Sequence, residues 1–480
     1  MSAIGLIARD ELRLMRRNRV ALIAFALLVV LTLVAAVTSW TNQRAIAAQR
    51  AQFQETAEQA FDAQPDRHPH RVVHYGHFIY RPLGPLAAFD PGVDAFTGNS
   101  MFLEGHRQNT ANFGDVRQSS LLIRFGQLTP AFVLQVLAPL LLIFLGYGAV
   151  ARERERGTLR QLLAQGVSGR RLFAGKALAL GLIAIFVGLP AMIGFALIAR
   201  QPGALAGPTT VIALGYAAWL LFWALVTILV SALVKRSRDA LLTLLAIWTV
   251  GVILIPRVAP DVAGQARPLV TRLETDIAIQ RDLRQLGDSH NANDPFFAAF
   301  KQKVLDQYGV TRVEDLPVNY KGLLAIEGEK LTSGLFDRYA NASFATQAEQ
   351  SAIMHGFAVL SPAIGLRRLS MAAAGTDLTG HRRFLDQAEA YRFDIVQRLN
   401  RLQAEAVSYA DDTAKDAGAD QRKRIADRHW DKIPEFASTP ASGGQLVRAA
   451  LPGLIVVAAW LLATMAACLL AAGRLQRNPR

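Results

Sequence analysis

The chain has 480 residues, is 52% hydrophobic, and carries a formal charge of +14 with a single cysteine. A basic soluble protein would point to nucleic acid, but the apolar residues here collect into runs far longer than a core strand or core helix needs. One cysteine excludes a disulfide framework within the chain.

In chain order, residues 1–19 read as an interfacial amphipathic helix, with Ile4, Leu6, Ile7, Leu12 and Leu14 set among Arg9, Arg13, Arg16 and Arg17. An uncharged run, 20–40, comes next. It exceeds the length of a secretory signal core and ends in Trp40, an aromatic suited to a membrane interface. Crossing a hydrocarbon layer of about 30 Å takes roughly 20 apolar residues. Runs 131–150, 177–198, 209–234 and 449–472 also satisfy that length, and 240–255 is a shorter sixth, all without Asp, Glu, Lys or Arg. The expected fold is therefore an all-α integral membrane protein with six transmembrane helices.

Orientation is set by the basic residues, which accumulate in short cytoplasmic loops. With the N-terminus inside, the segments before Val20, from Arg152 to Lys176, from Lys235 to Asp239 and after Gly473 hold 18 Lys and Arg against 5 Asp and Glu. The remainder holds 34 against 33, so the basic balance reflects membrane topology and not nucleic acid. Both termini, including the tail 473–480, are then cytoplasmic. Two segments, 41–129 and 256–448, are exported. Their charges and apolar residues recur at helical spacing, as in Asp276–Leu286 and Phe384–Val407, so together they predict one mostly helical domain built from two loops.

The loop 151–176 is the most informative stretch. Leu159, Leu162 and Leu163 fall at i, i+3 and i+4 and give a short helix whose apolar face needs a partner surface. Gly157 and Gly166 allow turns at its ends, and Ser168 is a candidate cap for the next helix. This loop resembles that of ABC-2 permeases, which carry a Glu-x-x-x-Gly-Thr-Leu motif followed by paired leucines and Gly-Lys. Glu153, Gly157, Thr158, Leu159, Leu162, Leu163, Gly175 and Lys176 match, and Glu155 lies within the motif; Gly166 stands where the family often has proline.

The resemblance implies that the short helix is a coupling helix docking on a cytoplasmic ATPase. It also implies that residues 1–19, with Arg13, Arg16 and Arg17, form the elbow helix of such permeases. A narrower resemblance, to ABC-2 permeases with enlarged periplasmic loops after the first and fifth spans, rests on His74-Tyr75-Gly76 through Arg81-Pro82, Asp90-Pro91-Gly92 to Arg107, Asp315 to Asn319, and Leu369 through Gly375-Thr376-Asp377 to Arg392.

Family likeness of this kind implies a bacterial inner-membrane location, a dimeric ABC ATPase holding ATP and Mg, and a second permease, identical or related. This chain is expected to bind no cofactor, to have no catalytic residues, and to export its substrate. The competing reading is a membrane-anchored assembly or signalling protein whose periplasmic helices bind a partner. The bilayer and a periplasmic protein are the remaining expected partners.

Two motifs imitate nucleotide binding. Gly169 and Gly175 have five residues between them and Ala177 follows Lys176, so the stretch lacks the spacing and hydroxyl of a phosphate loop. Ser442-Gly443-Gly444-Gln445 matches the ABC signature but leads into the last span on the exported side. Finally, His68, His70, His74 and His77 are four of nine histidines within ten residues and are candidate metal ligands. Lacking a cysteine or a second cluster nearby, they are read as an exposed loop with no metal.

Overall fold

The computed structural model describes residues 2–111, 128–200, 205–430 and 433–477. Residues 112–127 and 431–432 of the two expected exported segments and 478–480 of the expected tail lie outside them.

The chain starts with α1 (Ala3–Arg17), whose Ser2 Oγ accepts from the Gly5 amide. Asn18 breaks the helix and its Oδ1 accepts from the amides of Val20 and Ala21, starting α2 (Arg19–Asp62). At 1.5 Å per residue the 44 residues of α2 reach about 66 Å, twice a hydrocarbon layer. Its second half therefore belongs to a domain outside the bundle.

There α3 (Pro69–Tyr75) and the antiparallel hairpin of β1 (His77–Tyr80) and β2 (Ser100–Leu103) follow, with His77 opposite Leu103. Among the described residues this hairpin is the one sheet in an otherwise helical fold. The chain returns as α4 (Pro130–Glu155), then α5 (Thr158–Ala164), α6 (Gly169–Ile198), α7 (Ala206–Leu233) and α8 (Ser237–Ala266).

The second large segment contributes α9 (Arg272–Leu283), α10 (Ala298–Tyr308), α11 (Tyr320–Gly356), α12 (Pro362–Ala374) and α13 (Leu378–Ala406), before α14 (Gly443–Arg477) re-enters the bundle. Among the described residues six helices are long and apolar enough to cross a membrane: α2, α4, α6, α7, α8 and α14. The short apolar run 240–255 lies inside the 30-residue α8.

The bundle core centres on α7, where Tyr216, Trp219, Phe222 and Trp223 are buried. A π-helical turn in α4, Val133–Leu137, contains the carbonyls of Leu134 and Val136. Trp219 and Trp248 donate indole N–H bonds to those two carbonyls, at 3.2 and 3.1 Å. Gln135, a polar residue in an apolar run, donates to the Tyr216 hydroxyl at 2.6 Å, which in turn meets Ser370 Oγ at 3.0 Å. Its role is packing between α4, α7 and α12.

The segment between α11 and α13 was not legible as a bundle element. Residues Phe357–Leu360 turn the chain, and α12 runs back against α7 and α14. The turn reaches the middle of two spans: Trp460 donates to Ala358 O, and Ser361 Oγ donates to Gly251 O. Close backbone approach makes this possible, since a Cβ on Gly453 would lie 2.5 Å from Gly365 O. Val359 and Leu360 project outward at 75% and 61% exposure. Beside them lies an apolar cavity of about 360 Å³ lined by Trp219, Phe222, Trp223 and Trp460.

In the outer domain α11 and α13 pack antiparallel, with Gly322 lying directly against the backbone of Ala404. Between them Arg392, 1% exposed, donates to Glu329 and Glu389, each at 2.6 Å, and to Ser333 Oγ at 2.7 Å. Arg392 also donates to Glu104 O at 3.2 Å, tying the β-hairpin to this pair. Arg81 plays a similar part nearer the bundle, joining Asp94 at 2.6 Å and Gly375 O at 3.1 Å.

Candidate functional site

The last turn of α4, which leads into the connection to α6, is built residue by residue from alternating charges. Arg152 stacks over the Tyr147 ring at 5.7 Å. Glu153 turns inward to Lys176, 2.8 Å away. Arg154 donates to Ala232 O at 2.8 Å and to Val234 O, satisfying the carbonyls left free at the end of α7. Glu155 accepts from the Ser237 amide at 3.0 Å and its hydroxyl at 2.6 Å, closing the start of α8. One five-residue turn of helix thus fastens three spans together.

Gly157 and Gly166 have φ of +73° and +87°, so α5 is bounded by two left-handed turns that favour glycine. Thr158 Oγ1 donates to Glu153 O at 3.2 Å, and Ser168 Oγ accepts from the Arg171 amide to start α6. The leucine face of α5 requires a correction. Leu159 is 1% exposed and belongs to the bundle core, and Leu162 and Leu163 pack against that core half-buried. The chain covers much of this face itself, because α5 lies back on the bundle. What α5 leaves exposed is Arg156, Gly157, Thr158, Arg160, Gln161, Ala164 and Gln165.

Lys176, 2% exposed on α6, is the centre of the arrangement. Its ammonium joins Glu153 and also Glu11 of α1, so three segments share one cation. Gly175 beside it makes the close approach possible: a Cβ there would lie 2.6 Å from Ile7 Cβ and 3.0 Å from Ile4 O. Arg13, Arg16 and Arg17 of α1 are exposed, while Ala8, Ile7 and Leu12 face inward. Glu11 was missed by sequence reading. The signal available was its position on the Ile4–Ile7 stripe, at i+7 and i+4, where an acid on an apolar face demands a partner.

The nucleotide-like motifs resolve into ordinary helix starts. Gly169 to Lys176 lies within α6, and Gly169 is in close contact with Ala472 O of α14. Ser442 Oγ accepts from the Gln445 amide and Gln445 Oε1 accepts from the Ser442 amide, a reciprocal cap that opens α14.

The four neighbouring histidines separate into two kinds. His68 pairs with Asp412 at 3.1 Å and His77 faces Glu58 at 3.3 Å, both as packing contacts within the outer domain. His70 and His74 lie one turn apart on α3 and converge instead with His106 and His290 from two other segments. Burial, together with the imidazoles of His106, His74 and His290, lowers the His70 pKa to about 3. The expectation of a lone exposed cluster was therefore incomplete, since a second pair lies beside it in space.

Six apolar helices of this length define a multi-pass membrane protein. A family model described as ABC-2 family transporter protein matches residues 6–311, from α1 through α10. A second model, described as Domain of unknown function (DUF3526), matches residues 272–439 in the outer domain. A search of curated proteins returned no match. The chain belongs to the ABC-2 family of transporter proteins, which makes it a permease component of an ABC transporter and implies an ABC ATPase as its partner.

Proposed function

We propose that this permease couples ATP hydrolysis by a separate ATPase subunit to export across the bacterial inner membrane. In this reading α5 and its flanking turns are the docking element, on the cytoplasmic side with both termini, and the outer domain is periplasmic. The carrying observation is the shared cation: Lys176 joins the α4–α6 loop through Glu153 and the elbow helix through Glu11.

Force applied to α5 reaches α6 through this junction, α7 through Arg154 and α8 through Glu155. Movement of one loop is thereby distributed to three spans and the elbow helix, which is what a coupling element has to do. The exposed polar surface of α5 supplies the docking contacts, and the buried Leu159 supplies rigidity. ATP and Mg reside on the ATPase dimer, and a second permease chain, identical or related, completes the assembly.

A photo-crosslinking residue in place of exposed Gln161 tests the docking element. The expected product joins this chain to an ABC ATPase, whereas the same probe at exposed Asp386 of the outer domain gives none. No ATPase adduct from Gln161 in an intact complex would move the reading to a membrane-anchored assembly or signalling protein.

A further inference from the structure

Four of the nine histidines meet at one point of the outer domain although they come from three separate stretches of chain. His70 and His74 are one turn apart on α3, His106 follows β2, and His290 sits in the loop after α9. One ring nitrogen from each lies within 4.8 Å of those of all the others. We propose that His70, His74, His106 and His290 form a binding site for a divalent late first-row transition metal of the class imidazole prefers: Zn2+, Ni2+ or Cu2+.

The geometry is close to what such an ion requires. With metal–nitrogen bonds of about 2.0–2.1 Å, two vertices of a tetrahedral site lie roughly 3.3 Å apart. His70 Nε2 and His74 Nε2 are 3.0 Å apart, and the ligand nitrogens of His106 and His290 lie within 4.8 Å of them. Four nitrogens with no thiolate or carboxylate select this class of cation over Mg2+ or Ca2+, which take oxygen.

The surroundings of the rings are those of ligands. His106 Nδ1 faces Glu329 at 3.1 Å, and His290 Nδ1 faces Asp288 at 3.1 Å. A carboxylate on Nδ1 fixes the tautomer and leaves Nε2 as the lone-pair donor, the arrangement found around metal-bound histidines. His106 Nε2 is buried and has no hydrogen-bond partner. Glu329, fully buried, also accepts from the His106 amide at 3.2 Å, and His106 is the one non-glycine residue with positive φ among the described residues, at +59°. Both contacts hold this ring in place, and strained backbone of this kind persists where the surroundings dictate it.

The test uses the full-length protein in detergent, purified through a tag without histidines and stripped with EDTA. Zn2+, Ni2+ and Cu2+ are each titrated by calorimetry, with Mg2+ as control. The expected result is one equivalent of at least one of the three bound with micromolar or tighter Kd, and a raised Tm. His290 is exposed in a loop, so His290→Ala should fold normally and weaken binding at least about tenfold. His355→Ala, outside the cluster, should leave binding unchanged. Absence of binding by all three ions, or a loss smaller than tenfold on His290→Ala, would overturn the proposal.

Discussion

Glu153 in the last turn of α4 and Lys176 near the start of α6 meet at 2.8 Å, with the lysine almost wholly buried. A buried ammonium is costly unless its charge is matched, and here Glu153 and Glu11 match it together. Lys176→Met would leave two carboxylates facing each other at low exposure. We expect a loss of about 3 kcal/mol, read as a lower Tm in detergent, because removing one member of a buried pair costs about 3–5 kcal/mol. Adding Glu11→Gln and Glu153→Gln to that variant should recover most of the Tm while leaving transport uncoupled from ATP hydrolysis.

Gly175 and Gly166 separate crowding from backbone conformation. A Cβ at Gly175 would press on Ile7 and Ile4 of α1, whereas nothing lies within 4 Å of one at Gly166. Gly175→Ala should therefore displace α1 and cost about 1–3 kcal/mol. Gly166→Ala should cost roughly 1–2 kcal/mol, through its φ alone. A spin-label distance between α1 and α6 distinguishes them: it changes in the first variant and stays fixed in the second.

Arg392 is the corresponding centre of the outer domain, with Glu329 and Glu389 both on its guanidinium. Arg392→Met should cost about 3–5 kcal/mol by stranding two buried acids. Arg392→Lys should not rescue it, since an ammonium cannot reproduce the forked donors that reach Glu329, Glu389 and Ser333 at once. Limited proteolysis of the outer domain would report either failure.

Asp412 gives a pH dependence with a defined sign. Burial raises its pKa, but hydrogen bonds from His68, Gln403 and Asn319 outweigh that and hold it well below the ordinary carboxylate range. A depressed folded-state pKa contributes stability that is present above the unfolded value, about 3.9, and is lost as pH falls below it. The outer domain should thus lose stability in strong acid, and Asp412→Asn should flatten that dependence in a pH series of thermal unfolding. An unchanged profile would show that Asp412 is not the group responsible.

The spans were readable because burial in lipid demands long uncharged runs, and composition alone exposes them. The turns at Gly157 and Gly166 and the cap at Ser168 were readable because each is a local backbone requirement. The re-entering segment around Phe357–Ala374 was not, because it is short, contains Arg367 and Arg368, and is buried by α7 and α14 instead of by its own length. The same limit hid His106 and His290, whose approach to His70 and His74 depends on how α11, α13 and the hairpin pack. The covering of Leu159 was likewise a tertiary outcome, since the leucine spacing alone does not say which surface receives it.

Transfer of work from an ABC ATPase through the Glu153–Lys176 loop is decided by affinity purification of the intact complex from mild detergent, with ATPase activity measured on the wild-type and Lys176→Met chains. An ABC ATPase should be recovered at about one copy per permease chain, with ATP turnover lower in the variant complex than in the wild type. An otherwise folded wild-type chain that repeatedly recovers no ATPase, or a variant complex whose ATP turnover equals the wild type's, would refute that transfer.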